Sequence, residues 1–252
     1  MKQDYAGKRY WLIGASSGIG EALARELSAR GATLALSARR EDSLVALNQS
    51  LGGGHGSFAL DVSHDGSAEA ALEAIVKRFG VLDGVIFLAA HYQPMVLDAL
   101  EMEETRRMVE VNLMGAFHVL HAALPYFYRQ GKGQIVLCGS VAGYTGLPGG
   151  QPYSGTKAAI QNLAESLHAE ATPRGLDIKL ISPGFVKTPL TDKNAFPMPM
   201  ITTPENAARA IAEGLLKPGF EIHFPKRFTL LLKLLRLLPY RLALAITARF
   251  RG

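Results

Sequence analysis

The chain has 252 residues, 48% of them hydrophobic and 19% charged. That suits one large α/β domain with a filled core and excludes a disordered or fibrous protein. The single cysteine, Cys138, excludes an internal disulfide framework and points to a reducing, cytoplasmic setting. The formal charge of +5 is gathered at one end: residues 226–252 carry seven basic and no acidic side chains, while the other 225 carry 20 basic and 22 acidic ones. The basic character therefore belongs to a tail and not to a polyanion-binding body, and no nucleic-acid partner is expected. The first eight residues are polar and lack the basic–apolar–small order of a secretory signal.

Taken in chain order, short apolar runs at 10–13, 33–37, 57–60, 85–88, 134–137, 178–181 and 221–224 read as strands. Several are apolar almost throughout, as strands covered on both faces are. Helical patterns occupy 18–30, 41–51, 67–79, 102–129 (with a break), 153–172 and 204–216. This alternation predicts an α/β protein, a single-domain Rossmann-type fold with a doubly wound parallel sheet. Residues 1–225 would form a dinucleotide-binding catalytic domain and 226–252 a basic, leucine-rich C-terminal extension.

The first strand runs into Gly14-Ala15-Ser16-Ser17-Gly18-Ile19-Gly20, and a helix follows. Glycines there permit a tight turn and close approach to a phosphate, and the helix start offers free N–H groups and a positive dipole end. The second strand ends in Ser37-Ala38-Arg39-Arg40, where an NAD site usually places an acid for the ribose 2′-hydroxyl. Arginines pair with a 2′-phosphate instead, so the expected cofactor is NADP(H).

Tyr153 and Lys157 lie four apart at the start of a helical stretch and so share a face. A nearby ammonium lowers a phenol toward the range where it exchanges protons with an alkoxide or alcohol. Ser140 follows the fifth strand, at the carboxyl edge where open α/β sheets bind ligands. Its hydroxyl suits the stabilisation of charge on a carbonyl oxygen.

In this order and spacing the sequence resembles the short-chain dehydrogenases/reductases over about residues 8–225. Gly14, Gly18 and Gly20 match that family's glycine turn, and Ser140, Tyr153 and Lys157 its catalytic serine and Tyr-x-x-x-Lys pair. The resemblance implies further roles. Asn112 would hold a water beside the lysine, Asp61 and Val62 would lie by the adenine, and Lys157 would hold the nicotinamide ribose as well. Pro183, Gly184, Val186 and Thr188 would form the loop beneath the nicotinamide, with Thr188 near the carboxamide. Two places depart from the family pattern. Phe87-Leu88-Ala89-Ala90 replaces its Asn-Asn-Ala-Gly, leaving Ala89 and Ala90 as a small backbone wall, and Ile13 replaces a threonine. The implied activity is NADP(H)-dependent hydride transfer to or from a carbonyl or alcohol. The implied assembly is a homo-oligomer. A non-catalytic NADP(H)-binding regulator or scaffold is the alternative, and a sugar-nucleotide epimerase or dehydratase would need a longer substrate domain.

Other features are open or ordinary. His118 and His121 have a helical spacing that metal ligands also show, but no cysteine or acidic cluster accompanies them, and no metal site is expected. Cys138 sits in an apolar strand and reads as inert core. His91 and Tyr92 either shape the substrate pocket or face solvent. The apolar loop Phe196-Pro197-Met198-Pro199-Met200-Ile201 falls where the family often has a substrate lid and suggests a hydrophobic substrate, unless it packs on the body or a neighbour. The tail is too short and too charged to span a bilayer. Its leucines nearly encircle a helix, which leaves two readings: burial on the body, the substrate mouth or another subunit, or peripheral contact with an anionic membrane.

Overall fold

The computed structural model describes residues 4–250; positions 1–3 of the polar N-terminus, and Arg251 and Gly252 of the tail, lie outside the described residues. Seven parallel strands form one sheet: β1 Arg9–Ile13, β2 Thr33–Ala38, β3 Gly56–Ala59, β4 Gly84–Phe87, β5 Gly133–Cys138, β6 Leu176–Pro183 and β7 Glu221–Phe224. Their spatial order is β3-β2-β1-β4-β5-β6-β7. The chain thus reverses its winding between β1 and β4, and the carboxyl ends flanking such a switch point form a crevice. The helices are α1 Gly18–Ala29, α2 Glu41–Ser50, α3 Ser67–Phe79, α4 Met102–Val109, α5 Gly115–Gln130, α6 Tyr153–Ala171, α7 Pro204–Leu215, α8 Lys226–Leu237 and α9 Tyr240–Thr247.

The continuous apolar runs are explained by burial on both faces. Along β1, Trp11 and Ile13 join one core with Val85, Phe87, Ile135 and Leu137, while Tyr10 and Leu12 join the opposite core with Leu36, Ile86 and Val136. Alternate residues serve opposite layers because strand side chains alternate, and each large apolar side chain buried contributes about 1.5–3 kcal/mol. Trp11 is fully buried, and its indole N–H donates to Ser37 Oγ at 2.9 Å, so the indole is not left unpaired between the layers.

The long helical pattern over 102–129 is broken, by a π-turn at Glu110–Met114 between α4 and α5. A wider turn of this kind recurs at functional sites. Here it carries Asn112, which is fully buried.

Candidate active site

A cavity of ≈ 540 Å³ opens at the switch point. One wall is the turn from Gly14 to Gly20. Gly14 has φ +90, and a Cβ there would lie 2.7 Å from the Ala89 amide nitrogen. A Cβ on Gly20 would lie 2.0 Å from Gly14 O. The turn can therefore sit against β4 and start α1 only with hydrogens at these positions. Ser17 caps α1 through its backbone while its hydroxyl makes no cap bond. The first-turn amides and the Ser16 and Ser17 hydroxyls are left to face a ligand in the cavity, a donor set that suits a pyrophosphate.

Arg39, Arg40, Asp61 and Val62 line the next part of the cavity, and both arginines are exposed. Burial raises the Asp61 carboxyl, but hydrogen bonds from Ser63 and the charges of His64 and Arg39 outweigh it and hold the group below its ordinary value. Val62 is held from behind by His118, whose Nδ1 lies 2.8 Å from Val62 O, and by Gly115, where a Cβ would meet Val62 Cγ2 at 2.7 Å. Ala89, Ala90 and Thr188 close the opposite side. Asn112 Oδ1 accepts from His91 N at 2.6 Å and Asn112 Nδ2 donates to His91 O at 2.9 Å, which fixes the chain just after β4.

At the Cys138 end of the cavity, α6 is fastened to the segment after β5. Lys157 Nζ donates to Cys138 O at 2.8 Å, Gln161 Nε2 to Ser140 O at 2.7 Å and Ser154 Oγ to Ala142 O at 2.6 Å. Positions 154, 157 and 161 recur on one helix face. Gly143 makes the close contact possible, since a Cβ there would lie 2.7 Å from the Lys157 carbonyl carbon. Ser140, Tyr153 and Lys157 are thereby brought together. The Ser140 Oγ accepts from Ala142 N at 3.1 Å, and Lys157 Nζ stands 5.6 Å from the Tyr153 ring centre.

The electrostatics differ from the expectation that Lys157 lowers the Tyr153 phenol. Burial pushes that phenol up, nearby Cys138 and Tyr92 add to the rise, and only the facing Ser140 hydroxyl opposes it. Lys157 itself is pushed down by burial. Its ammonium is directed at the Cys138 carbonyl and lies over the tyrosine ring, and no hydrogen bond joins it to the phenol oxygen. Asn112 differs too. Its amide hydrogens go to His91 O and Thr156 Oγ1, and its oxygen takes His91 N, so the side chain has no hydrogen free for a water beside the lysine. Of the expected site residues, Asn112, Ser140, Tyr153, Lys157, Pro183, Gly184 and Val186 are not on the cavity wall, which reaches the catalytic group only as far as Cys138. Pro183 O lies 3.5 Å from Ser140 Oγ, Gly184 N donates to Phe224 O at 2.7 Å, and Val186 bridges to Thr202. These three belong to the end of β6, where strand pairing claims their backbones.

Sequence reasoning missed Ser154, Gln161, Gly143 and Thr156, though the polar residues at helical spacing around Lys157 are a readable signal. Of the two open positions, Tyr92 is buried edge-on against Tyr153, ring centres 4.9 Å apart, and its hydroxyl donates to Asn194 Oδ1 at 2.6 Å. His91 pairs with Glu104 at 2.5 Å, which lowers the Glu104 carboxyl.

The family model for short chain dehydrogenases matches residues 8–197. The chain belongs to the short-chain dehydrogenase/reductase family. It is an oxidoreductase of that family, whose members act on CH–OH and C=O groups. It is 35% identical over 208 residues to an uncharacterized oxidoreductase of Staphylococcus epidermidis, covering 82% of this chain and 90% of that one. It is 32% identical to the 3-oxoacyl-[acyl-carrier-protein] reductase of Escherichia coli, over 75% of this chain and 77% of that one. A solved short-chain type dehydrogenase/reductase from Mycobacterium marinum superposes with a TM-score of 0.78 at 25% identity, over 88% of this chain and 95% of that one.

Proposed function

We propose that this oxidoreductase is NADP(H)-dependent and works on a hydrophobic carbonyl or alcohol. The observation that carries the cofactor choice is the pair Arg39 and Arg40 on the cavity wall just after β2, at the position where an NAD site usually carries an acid for the ribose 2′-hydroxyl. Bound there, the nicotinamide cofactor supplies or receives the hydride. Gly14, Ser16, Ser17, Gly18, Ile19 and Gly20 hold its phosphates, Asp61 and Val62 its adenine end, and Ala89 and Thr188 its nicotinamide half.

Ser140 holds the substrate oxygen through its hydroxyl, and Tyr153 donates a proton to that oxygen in reduction or takes one in oxidation. The phenol is protonated at neutral pH, as reduction requires, and must give up its proton to water or a relay before it can act as the base in oxidation. Lys157 is fixed by Cys138 O beside the tyrosine ring. Asn112 acts as a positioning residue that keeps β4, α5 and α6 in register through His91 and Thr156. The hydrophobic substrate is supported by Phe185 and Phe196, whose rings meet edge-on with centres 5.9 Å apart, and by exposed Met200 and Ile201 on the same loop.

The test is a fluorescence titration with NADPH and NADH, followed by turnover of ketones and aldehydes of graded chain length. NADPH should bind at least about tenfold tighter, a gap of about 1.4 kcal/mol that one charge-assisted pairing supplies. Arg39→Ala/Arg40→Ala should abolish the gap. Equal affinities in the native chain would overturn the NADP(H) assignment, and turnover that falls as the carbon chain lengthens would overturn the hydrophobic one.

A further inference from the structure

The basic tail folds as two helices, and only one side of them is used by the body. On α8, Thr229, Leu232 and Leu235 are buried, and on α9, Ala243 and Thr247. Leu232, Leu235 and Ala243 pack on Val141 and Tyr144, just beyond Ser140. Lys233 reaches back to Glu221, which also accepts from Tyr144. The opposite side is bare. Leu230, Leu231, Leu234 and Leu237 are 51–80% exposed, and their spacing puts them in one stripe along α8. On α9, Leu242, Leu244 and Ile246 are exposed as well.

We infer that this outer face of α8 and α9 docks the enzyme on an anionic lipid surface, with the helices lying in the plane of the headgroups. Three observations choose that occupant. First, exposed Lys226, Arg227, Arg236, Arg241 and Arg249 accompany the leucines, and no acidic residue lies in 226–252. An apolar stripe accompanied by cations fits anionic headgroups over acyl chains. Second, the same charge opposes a second copy. A two-fold contact would bring this patch onto itself and set cations against cations. Third, no helix among the described residues is long and apolar enough to cross a membrane, so the tail lies on the surface and does not span it.

The surface also leads to the substrate side. Phe228 of α8 stacks on Phe185 with ring centres 5.6 Å apart, and Phe185 meets Phe196 of the neighbouring loop. Phe228 packs on the covered side of α8 with the Val141 and Tyr144 cluster, so this path joins the substrate loop to the tail beneath the docking face, and the substrate class that docking favours is a lipid-dissolved carbonyl or alcohol. That last step rests on the proposed function above, whereas the docking itself does not.

Co-sedimentation of the full chain with vesicles tests it, because pelleting reads binding without reference to turnover. The vesicles are phosphatidylcholine alone and phosphatidylcholine with phosphatidylglycerol. The native chain should pellet with the anionic vesicles and much less with the neutral ones, and raised salt should weaken binding. Replacing Leu230, Leu231, Leu234 and Leu237 by serine should lower the partition coefficient at least about a hundredfold, given the apolar area involved. Arg227→Gln/Arg236→Gln/Arg241→Gln should remove the preference for anionic vesicles. Circular dichroism and unchanged turnover of a short, water-soluble carbonyl keep the serine variant interpretable as folded. Equal pelleting of native and serine variants would overturn the inference. So would a native dimer that does not pellet and that the serine variant dissociates, which would assign the face to a second copy.

Discussion

The two ends of the active-site crevice are built on different principles. At the cofactor end, glycine hydrogens and backbone amides form the wall. Gly14 against Ala89 and Gly20 against Gly14 leave no room for side chains, so almost any change there is felt directly. At the chemical end, side-chain hydrogen bonds from one face of α6 hold the β5 segment, and two tail helices cover it from outside. The phosphate-binding turn is local in sequence, within one strand–turn–helix unit, and Arg39, Arg40, Asp61, Val62, Ala89 and Thr188 complete the cofactor end from elsewhere. The chemical end is assembled from β4, β5, α5, α6 and the tail. Perturbations should therefore separate into effects on cofactor affinity and effects on turnover.

The sharpest separation is expected from Tyr153→Phe. Removing the phenol oxygen should lower kcat by about a thousandfold or more, toward the upper end of general acid–base contributions. The NADPH Kd should stay within about threefold, because the ring still packs on Tyr92. A variant that keeps near-native turnover, or one that loses NADPH binding, would break the division between the two ends.

A matched pair of glycine substitutions comes next. Gly14→Ala puts a methyl onto Ala89 N at a backbone φ of +90 and should weaken NADPH by about ten- to a hundredfold. Gly143→Ala puts one onto the Lys157 backbone instead. It should lower kcat by about tenfold or more through displaced Ser140, with NADPH affinity nearly kept. Titration and steady-state kinetics on both proteins decide it, and the comparison fails if the two variants share one profile.

Asn112→Ala acts between the ends. It removes three hydrogen bonds and leaves the backbone of His91 unpaired. About 2–3 kcal/mol of stability should be lost, seen as a Tm lower by about 5–10 °C in a chain of this size. Asn112→Asp should recover the bond from His91 N and part of the loss, which calorimetry would read.

This difference in construction also decides what was legible in the sequence. The strand runs and the doubly wound parallel sheet could be read because strands covered on both faces are apolar throughout, and the glycine turn because its geometry is local. The strand at 57–60 is displaced by one residue to Gly56–Ala59, where little but backbone pairing fixes the end. The break after Val109 was visible only as a weakness in the pattern at 102–129, since its cause, the clasp of Asn112 on His91, spans 21 residues. Arg39 and Arg40 were readable from position alone. The state of Tyr153 was not, because it depends on how deeply the phenol is buried and on where Lys157 Nζ points. The tail's composition implied a helix with apolar area to cover. Which leucines would be covered depended on Val141 and Tyr144, almost a hundred residues away.

The smallest effect is expected where the tail is pinned to the body. Burial raises the Glu221 carboxyl, but hydrogen bonds from Lys233 and Tyr144 and the Lys233 charge bring it below its ordinary 4.5. A carboxylate whose folded value is depressed adds stability that is fully present above its unfolded value. That stability disappears as the pH falls through the folded value. Glu221→Gln should therefore lower Tm by about 2–4 °C near pH 7, for about 1 kcal/mol, and the gap between the two proteins should narrow as the pH falls from the ordinary carboxylate value through the depressed folded one. NADPH affinity should not change, since Glu221 belongs to the tail side of β6. A Tm gap that persists undiminished at pH 3 would mean that shape, and not the charge on Glu221, holds α8 in place.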